Sequence, residues 1–193
     1  NRTPMTLIVG VDEVGRGCLA GPVYAVAVVM GEEQTLAGLK DSKLLSIKKR
    51  NELFELIVSN CYEYSLGSQN NKEIDQLNIL NASLKAMELA IDQLKSDFEK
   101  AYIDGPYLPK KLLGQQIKYK PIIGGDNIFP CISAASIIAK VSRDQYMNKL
   151  DNRYPDYGFK KNKGYPTKQH IEAIQELGPT PFHRLSFKSE LYE

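Results

Sequence analysis

Apolar residues recur at two different periods along this chain. "TLIVGVD" (6–12) and "PVYAVAVVM" (22–30) are short apolar runs bounded by glycine or proline, which predicts strands. The second is apolar nearly throughout, so burial on both faces is expected. "CYEYSLGS" (61–68) alternates and predicts a third strand, with "KAYIDG" (100–105) and "IKYKPIIGGD" (117–126) as the fourth and fifth. Elsewhere the period lengthens. Within 41–60, Ser46 is a candidate N-cap, and Leu53, Phe54 and Ile57 form a helical stripe. Ile74, Leu77, Leu80, Leu84, Met87, Ile91, Leu94 and Phe98 repeat at helical spacing and predict one long helix packed on a sheet. Residues 131–150 (CISAASIIAKVSRDQYMNKL) predict a helix of small residues, able to pack closely, and 166–178 a last helix stopped at Gly178. The order β β α β α β β α α is that of an α/β protein, with helices packed on one central sheet.

Composition narrows the class only slightly. The chain has 193 residues, 42% of them apolar and 25% charged, which fits one domain with a proper core. No apolar run reaches the ~18 residues of a membrane span, and the N-terminus has no signal-peptide core. The three cysteines, Cys18, Cys61 and Cys131, are far apart and odd in number. They suit a reducing cytoplasm better than a disulfide framework or a zinc knuckle. The net charge of +2 says little, but residues 110–120 and 160–168 are basic, free of acids and carry tyrosine. Such segments are either solvated loops or a nucleic-acid footprint.

The chemistry lies in the acids. The first predicted strand ends at Asp12 and Glu13, the fourth at Asp104 and the fifth at Asp126. In open α/β sheets the ligand site lies beyond the carboxyl ends of the strands. If these strands are parallel neighbours, four carboxylates converge, and like charges that close require protonation or a cation. Oxygen-only ligands select hard ions, Mg²⁺ or Mn²⁺. Two such ions, ~3.5–4 Å apart, would activate a water and stabilise the leaving oxygen of a phosphodiester. Each acid alone is equally a turn former or a helix cap. One residue separates the pair from Gly15, Arg16 and Gly17. Glycines admit a close backbone approach, their amides can bind an anion, and the arginine can clamp a phosphate.

These motifs extend over most of the chain. "VGVDEVGRGCLAGPV", "LKDSKLLS", "YIDG", "GGDN", "ISAASIIAKVSRD", "YGFKKNKGYPTKQH" and "GPTPFHRLSF" occur in an order and at spacings that closely resemble type 2 ribonucleases H, the bacterial ribonuclease HII family. The resemblance implies a ribonuclease H-like fold: a central mixed five-stranded sheet flanked by helices, with a small helical C-terminal part. It implies a catalytic core over 1–150 and a C-terminal region, 151–193, contributing to substrate binding. The implied activity is endonucleolytic cleavage of the RNA strand of RNA–DNA hybrids and incision at single ribonucleotides in duplex DNA, leaving 3′-hydroxyl and 5′-phosphate ends. Asp12, Glu13 and Asp104 match metal-binding acids, and Asp126 the fourth catalytic and metal-binding acid. Gly15, Arg16 and Gly17 match the motif that senses the ribose 2′-hydroxyl, and Tyr165 the tyrosine that stacks on the sugar at an RNA–DNA junction. Lys43 resembles a substrate-backbone contact. The 2′-hydroxyl is the group that distinguishes RNA from DNA, and backbone contacts would make binding salt-sensitive and weakly sequence-dependent. A monomer acting in the cytoplasm, away from membranes, is expected.

Other polar residues read as structural. Asp144, beside Arg143, suits an ion pair. His170 and His183 are not needed as bases if metal activates the water. Lys140 and Ser133 suit either phosphate contact or helix packing, and Cys18 is small and incidental. Two rival readings are a ribonuclease HIII-like enzyme and a non-catalytic nucleic-acid-binding module. Type HIII members carry an extra N-terminal domain, which is not expected here with eleven residues before Asp12, and their fourth acid is typically Glu. The presence of all four acids weighs against a non-catalytic module. A sugar-phosphate or nucleotide-binding domain would need a glycine-rich loop opening a long helix, whereas "GRGCLAGPV" leads into a strand.

Overall fold

The structure is a computed structural model that describes residues 5–39 and 44–192. Its elements are β1 (Leu7–Val14), β2 (Val23–Gly31), α1 (Ile47–Asn60), β3 (Glu63–Gln69), α2 (Asn71–Leu77), α3 (Ile79–Asp92), β4 (Lys100–Asp104), β5 (Tyr119–Ile122), α4 (Pro130–Arg153), α5 (Phe159–Asn162) and α6 (Lys168–Leu177). The strands form one mixed sheet in the order β3-β2-β1-β4-β5. β2 is antiparallel to β1 and β3, whereas β1, β4 and β5 run parallel. The three acid-bearing strands are therefore parallel neighbours, as their chemistry requires.

Strand alternation builds three layers. Val9 and Val11 of β1 and Val23, Ala25, Ala27 and Val29 of β2 meet Ala82, Ala86, Met87, Ala90 and Ile91 of α3. On the opposite face Ile8, Val26, Val28 and Met30 meet α4 and the α1 residues Leu53 and Ile57. β2 is thus covered on both sides, as its unbroken apolar run predicted. The small residues at the start of α4 let that helix lie almost on the sheet. A Cβ placed on Gly10 would sit 2.1 Å from the Cys131 carbonyl carbon, so only glycine fits there. A third cluster joins Leu19 and Ala20 to Met147 and Leu150 of α4 and to Tyr157, Phe159, Ala173 and Ile174 of the C-terminal part.

Several boundaries differ from the sequence reading. The expected long helix over 74–98 is two helices and a loop. Asn78 interrupts it with φ 69°, donates its N–H to Ile74 O at 2.9 Å and accepts from the Asn81 N–H at 2.9 Å through its side chain. Asn competes for backbone partners in this way wherever a helix can be restarted. Leu94 and Phe98 still pack on the core, but from the loop that follows α3. β1 runs through Val14, so Asp12 and Glu13 lie within the strand rather than at its end. β5 stops at Ile122, and Asp126 sits in a following 3₁₀ turn, Gly125–Asn127. Ser46 does cap α1, accepting from the Lys49 N–H at 3.2 Å, and Gly178 does end α6.

Candidate active site

The β1–β4 register pairs Val11 with Ile103, so Asp12 and Asp104 come next on neighbouring parallel strands and leave the sheet on the same face. Glu13 follows Asp12 in the strand. One carboxylate oxygen from each of Asp12, Glu13 and Asp104 lies within 4.8 Å of the others. Asp126 stands beside this trio. Its charge is, after burial, the main influence raising the Asp104 pKa, while the amides of Gly125 and Asp126 act in the opposite direction. The Ser133 hydroxyl donates to the Asp126 carbonyl and ties this turn to α4.

The trio is electrostatically unsatisfied. Asp12 is buried, and burial together with the charges of Glu13 and Asp104 pushes its carboxyl well above the usual carboxylate range. Asp104 Oδ1 is buried and has no hydrogen-bond partner. An acceptor of that kind is costly unless a cation or proton meets it. Three carboxylates with an orphaned oxygen fit a hard divalent cation, with room left for phosphate oxygens.

One residue after β1, the chain turns at Gly15. Its φ of +93° lies in the left-handed region, and a Cβ there would meet the Arg143 side chain at 2.3 Å. Arg16 and Gly17 are exposed at the tip of the turn. A Cβ placed on Gly17 would lie 4.0 Å from Cε1 of the half-buried Tyr165. The structure therefore brings together the acids, the Gly-Arg-Gly turn and Tyr165, although more than 140 residues separate that turn from Tyr165 in sequence. Lys43 lies outside the described residues.

Two arginines hold this arrangement, and sequence reasoning gave them no such part. Arg143 of α4 is fully buried and donates to the carbonyls of Pro22 (2.9 Å), Lys163 (2.6 Å) and Ala20 (3.0 Å). Arg184, also fully buried, donates to Gly15 (2.6 Å), Arg16 (2.9 Å) and Gly21 (3.0 Å). Burial lowers the Arg184 pKa to about 10, which leaves it charged at neutral pH. The only sign in the sequence was an arginine set among Pro, Phe, His and Leu in "PFHRLSF".

The remaining polar candidates are accounted for within the protein. Asp144 pairs with Lys140, one turn away, at 2.9 Å, and not with Arg143. Lys140 Nζ also stands 5.8 Å from the centre of the Tyr165 ring. The Cys18 thiol is buried, is raised in pKa by that burial and contacts the Lys163 carbonyl at 3.6 Å. Cys18, Cys61 and Cys131 are all free. His170 and His183 are buried against one another, with their Nε2 atoms 2.9 Å apart.

The family model described as Ribonuclease HII matches residues 9–190. The chain belongs to the ribonuclease HII family. It is 50% identical over 188 residues to the ribonuclease HII of Coxiella burnetii, covering 97% of this chain and 91% of that protein. Over 178 residues it is 49% identical to the ribonuclease HII of Clostridioides difficile, covering 92% of this chain and 68% of the other. Among solved structures, the ribonuclease H2 of Pyrococcus horikoshii OT3 superposes with a TM-score of 0.82 at 26% identity, covering 96% of this chain and 97% of that one. As a ribonuclease HII the protein is a hydrolase that cleaves the RNA strand of RNA–DNA hybrids with divalent metal, and the ribonuclease H-like fold expected from the resemblance is the one observed. Among the described residues no helix is long and apolar enough to cross a membrane.

Proposed function

We propose that this ribonuclease HII incises duplex DNA on the 5′ side of a single embedded ribonucleotide, as well as long hybrids, by two-metal-ion hydrolysis that leaves 3′-hydroxyl and 5′-phosphate ends. The observation that carries this reading is the approach of the Tyr165 ring to Gly17, four residues after Glu13 of the acid cluster. A ribose whose 2′-hydroxyl meets the turn would place its neighbouring phosphate towards the acids.

Asp12, Glu13 and Asp104, with Asp126 beside them, would hold Mg²⁺ or Mn²⁺. Bound there, such ions supply Lewis-acid stabilisation of phosphate oxygens and lower the pKa of an attacking water. The chain's own groups do the recognition. The backbone amides of Gly15, Arg16 and Gly17 and the Gly17 carbonyl offer donors and an acceptor to a 2′-hydroxyl, which is both, while Arg184 holds the Gly15 and Arg16 carbonyls. Arg16, exposed at the tip, is free to reach a phosphate. The half-buried Tyr165 ring, beside this turn, would stack on the next sugar. The C-terminal region 151–193 contributes Tyr165, and Lys43 is a further backbone contact. None of these groups addresses a base edge, so binding should be sequence-tolerant and weaken with salt.

Duplex DNA carrying one internal ribonucleotide, incubated with Mg²⁺, with Mn²⁺ and with EDTA, tests the reading. The expected product is a metal-dependent incision that leaves the ribonucleotide at the 5′ end of the downstream fragment. Cleavage of long hybrids alone would overturn the assignment of the turn and Tyr165.

A further inference from the structure

Tyr165 is gripped by its backbone carbonyl, and the grip runs through two histidines. The Tyr165 carbonyl accepts from the Thr167 N–H at 2.8 Å and faces His170 Nδ1 at 2.9 Å. His170 Nε2 faces His183 Nε2 at 2.9 Å, and His183 Nδ1 receives the Thr180 N–H at 2.9 Å. The Thr180 hydroxyl also stands 2.9 Å from His183 Nδ1, and one arrangement of protons satisfies all four ring contacts. A carbonyl oxygen only accepts, so His170 carries its proton on Nδ1 and its Nε2 is bare. His183 then donates from Nε2, and its bare Nδ1 accepts from Thr180. Both imidazoles are neutral, and both are fully buried, beside Phe159 and Tyr157.

The far end of this relay is anchored to the other half of the site. His183 sits in an antiparallel bridge with Ala20, flanked by Gly21 N–H to Phe182 O at 2.9 Å and Arg184 N–H to Leu19 O at 2.8 Å. The next residue, Arg184, holds the Gly15 and Arg16 carbonyls. Two adjacent residues thus reach both partners: Arg184 the glycine turn, and His183, through His170, the tyrosine. The sequence gives no sign of this, because each histidine is an isolated residue 13 positions from the other.

We propose that the His183–His170 pair is a positioning device that fixes where Tyr165 stands against the Gly15–Arg16–Gly17 turn, and so sets how sharply the enzyme selects a lone ribonucleotide in DNA. It rests on the reading of Tyr165 given above. A role in core packing alone would make every variant scale with stability and treat all substrates alike.

Wild type, Tyr165→Ala, His170→Gln and His170→Asn are compared on a single-ribonucleotide duplex and on a long hybrid, with unfolding midpoints measured in parallel. Asparagine keeps a donor near the Nδ1 position, towards Tyr165, while glutamine keeps a polar group near Nε2, towards His183. His170→Gln is expected to lower kcat/KM on the single-ribonucleotide duplex roughly tenfold more than on the hybrid, and His170→Asn to recover most of that split at a similar midpoint. Equal losses on both substrates in step with stability would overturn the proposal. Tyr165→Ala separates the two levels. If it leaves single-ribonucleotide incision intact, the role of Tyr165 falls and the proposal with it. If it abolishes the preference and His170→Gln does not, only the positioning role falls. Should the variants not fold, nitrogen-detected NMR of the wild-type histidines decides. Protons on His170 Nδ1 and His183 Nε2 are expected, and the opposite tautomers would overturn the proposal.

Discussion

Arg184 donates from Nη2 to the carbonyl oxygen of Gly15 at 2.6 Å, and from Nη1 to that of Arg16 at 2.9 Å. A residue near the end of the chain thus shapes the turn that follows the first strand. A planar guanidinium suits the task because its five donors point in fixed directions, and three carbonyls from one loop take them up.

Replacing Arg184 with methionine keeps much of the stem's volume and leaves the Gly15, Arg16 and Gly21 carbonyls without their donor. Each of the three orphaned acceptors costs about 1–3 kcal/mol, so a loss on the order of 3–9 kcal/mol is expected. Arg184→Lys should rescue little, since one ammonium cannot reproduce the fork. Urea unfolding of the three proteins measures this. Wild-type midpoints for both variants would contradict it.

Asp104→Asn separates catalytic from structural roles for the acid cluster. Without metal the trio repels itself, and burial raises the Asp12 and Asp104 carboxyls further. In EDTA the variant should therefore melt at or above the wild-type temperature. Mg²⁺ should raise the wild-type Tm, by an amount equivalent to about 2.7 kcal/mol at a hundred times Kd, and leave the variant's unchanged. Hybrid cleavage should fall by about a thousandfold or more, as several kcal/mol of charge stabilisation are lost. A variant that melts lower in EDTA and gains as much from Mg²⁺ would contradict the account.

The buried histidines make stability depend on acid. Burial and His170 lower the His183 pKa to about 4, and burial lowers that of His170. The groups facing His183 are His170, Thr180 and the rings of Tyr157 and Phe159. Between pH 6.5 and 4 the unfolded chain binds protons that the folded chain refuses. Stability from this source is thus full above pH 6.5 and declines as pH falls through that window, with roughly 3 kcal/mol lost through His183 by about pH 4 and a further part through His170. His183→Phe should flatten that part of the stability–pH curve, measured by denaturant unfolding from pH 4 to 7.

The sheet and the acids were legible because their signals are local. A strand ending in Asp-Glu and two more ending in Gly and Asp need only parallel neighbours to converge, and the side-by-side order of β1, β4 and β5 in the sheet supplies them.

 The break at Asn78 was not legible, since the apolar period continues across it and the interruption comes from one side chain capturing the Asn81 N–H. Arg143 and Arg184 were hidden for another reason. An arginine in a sequence suggests a solvated charge, and nothing local announces that all but one of the carbonyls these two hold lie more than a hundred residues away. Tyr165 entered through the family resemblance alone. Its packing beside Gly17 depends on the Ala20–His183 bridge and on Leu19 N–H to Gly164 O at 2.8 Å, both long-range.

The central claim is that the Gly15–Arg16–Gly17 turn and Tyr165 read a ribose beside the acid cluster. The most direct test compares initial rates on two duplexes that are identical except at one sugar, ribose in one and 2′-fluoro-2′-deoxyribose in the other, with Mg²⁺ present. Fluorine keeps the sugar's shape and removes the hydroxyl's donor. The account predicts that incision at the fluoro position drops by about a hundredfold or more, on the scale of losing a buried hydrogen bond to the reacting sugar. Comparable rates on both duplexes would contradict it.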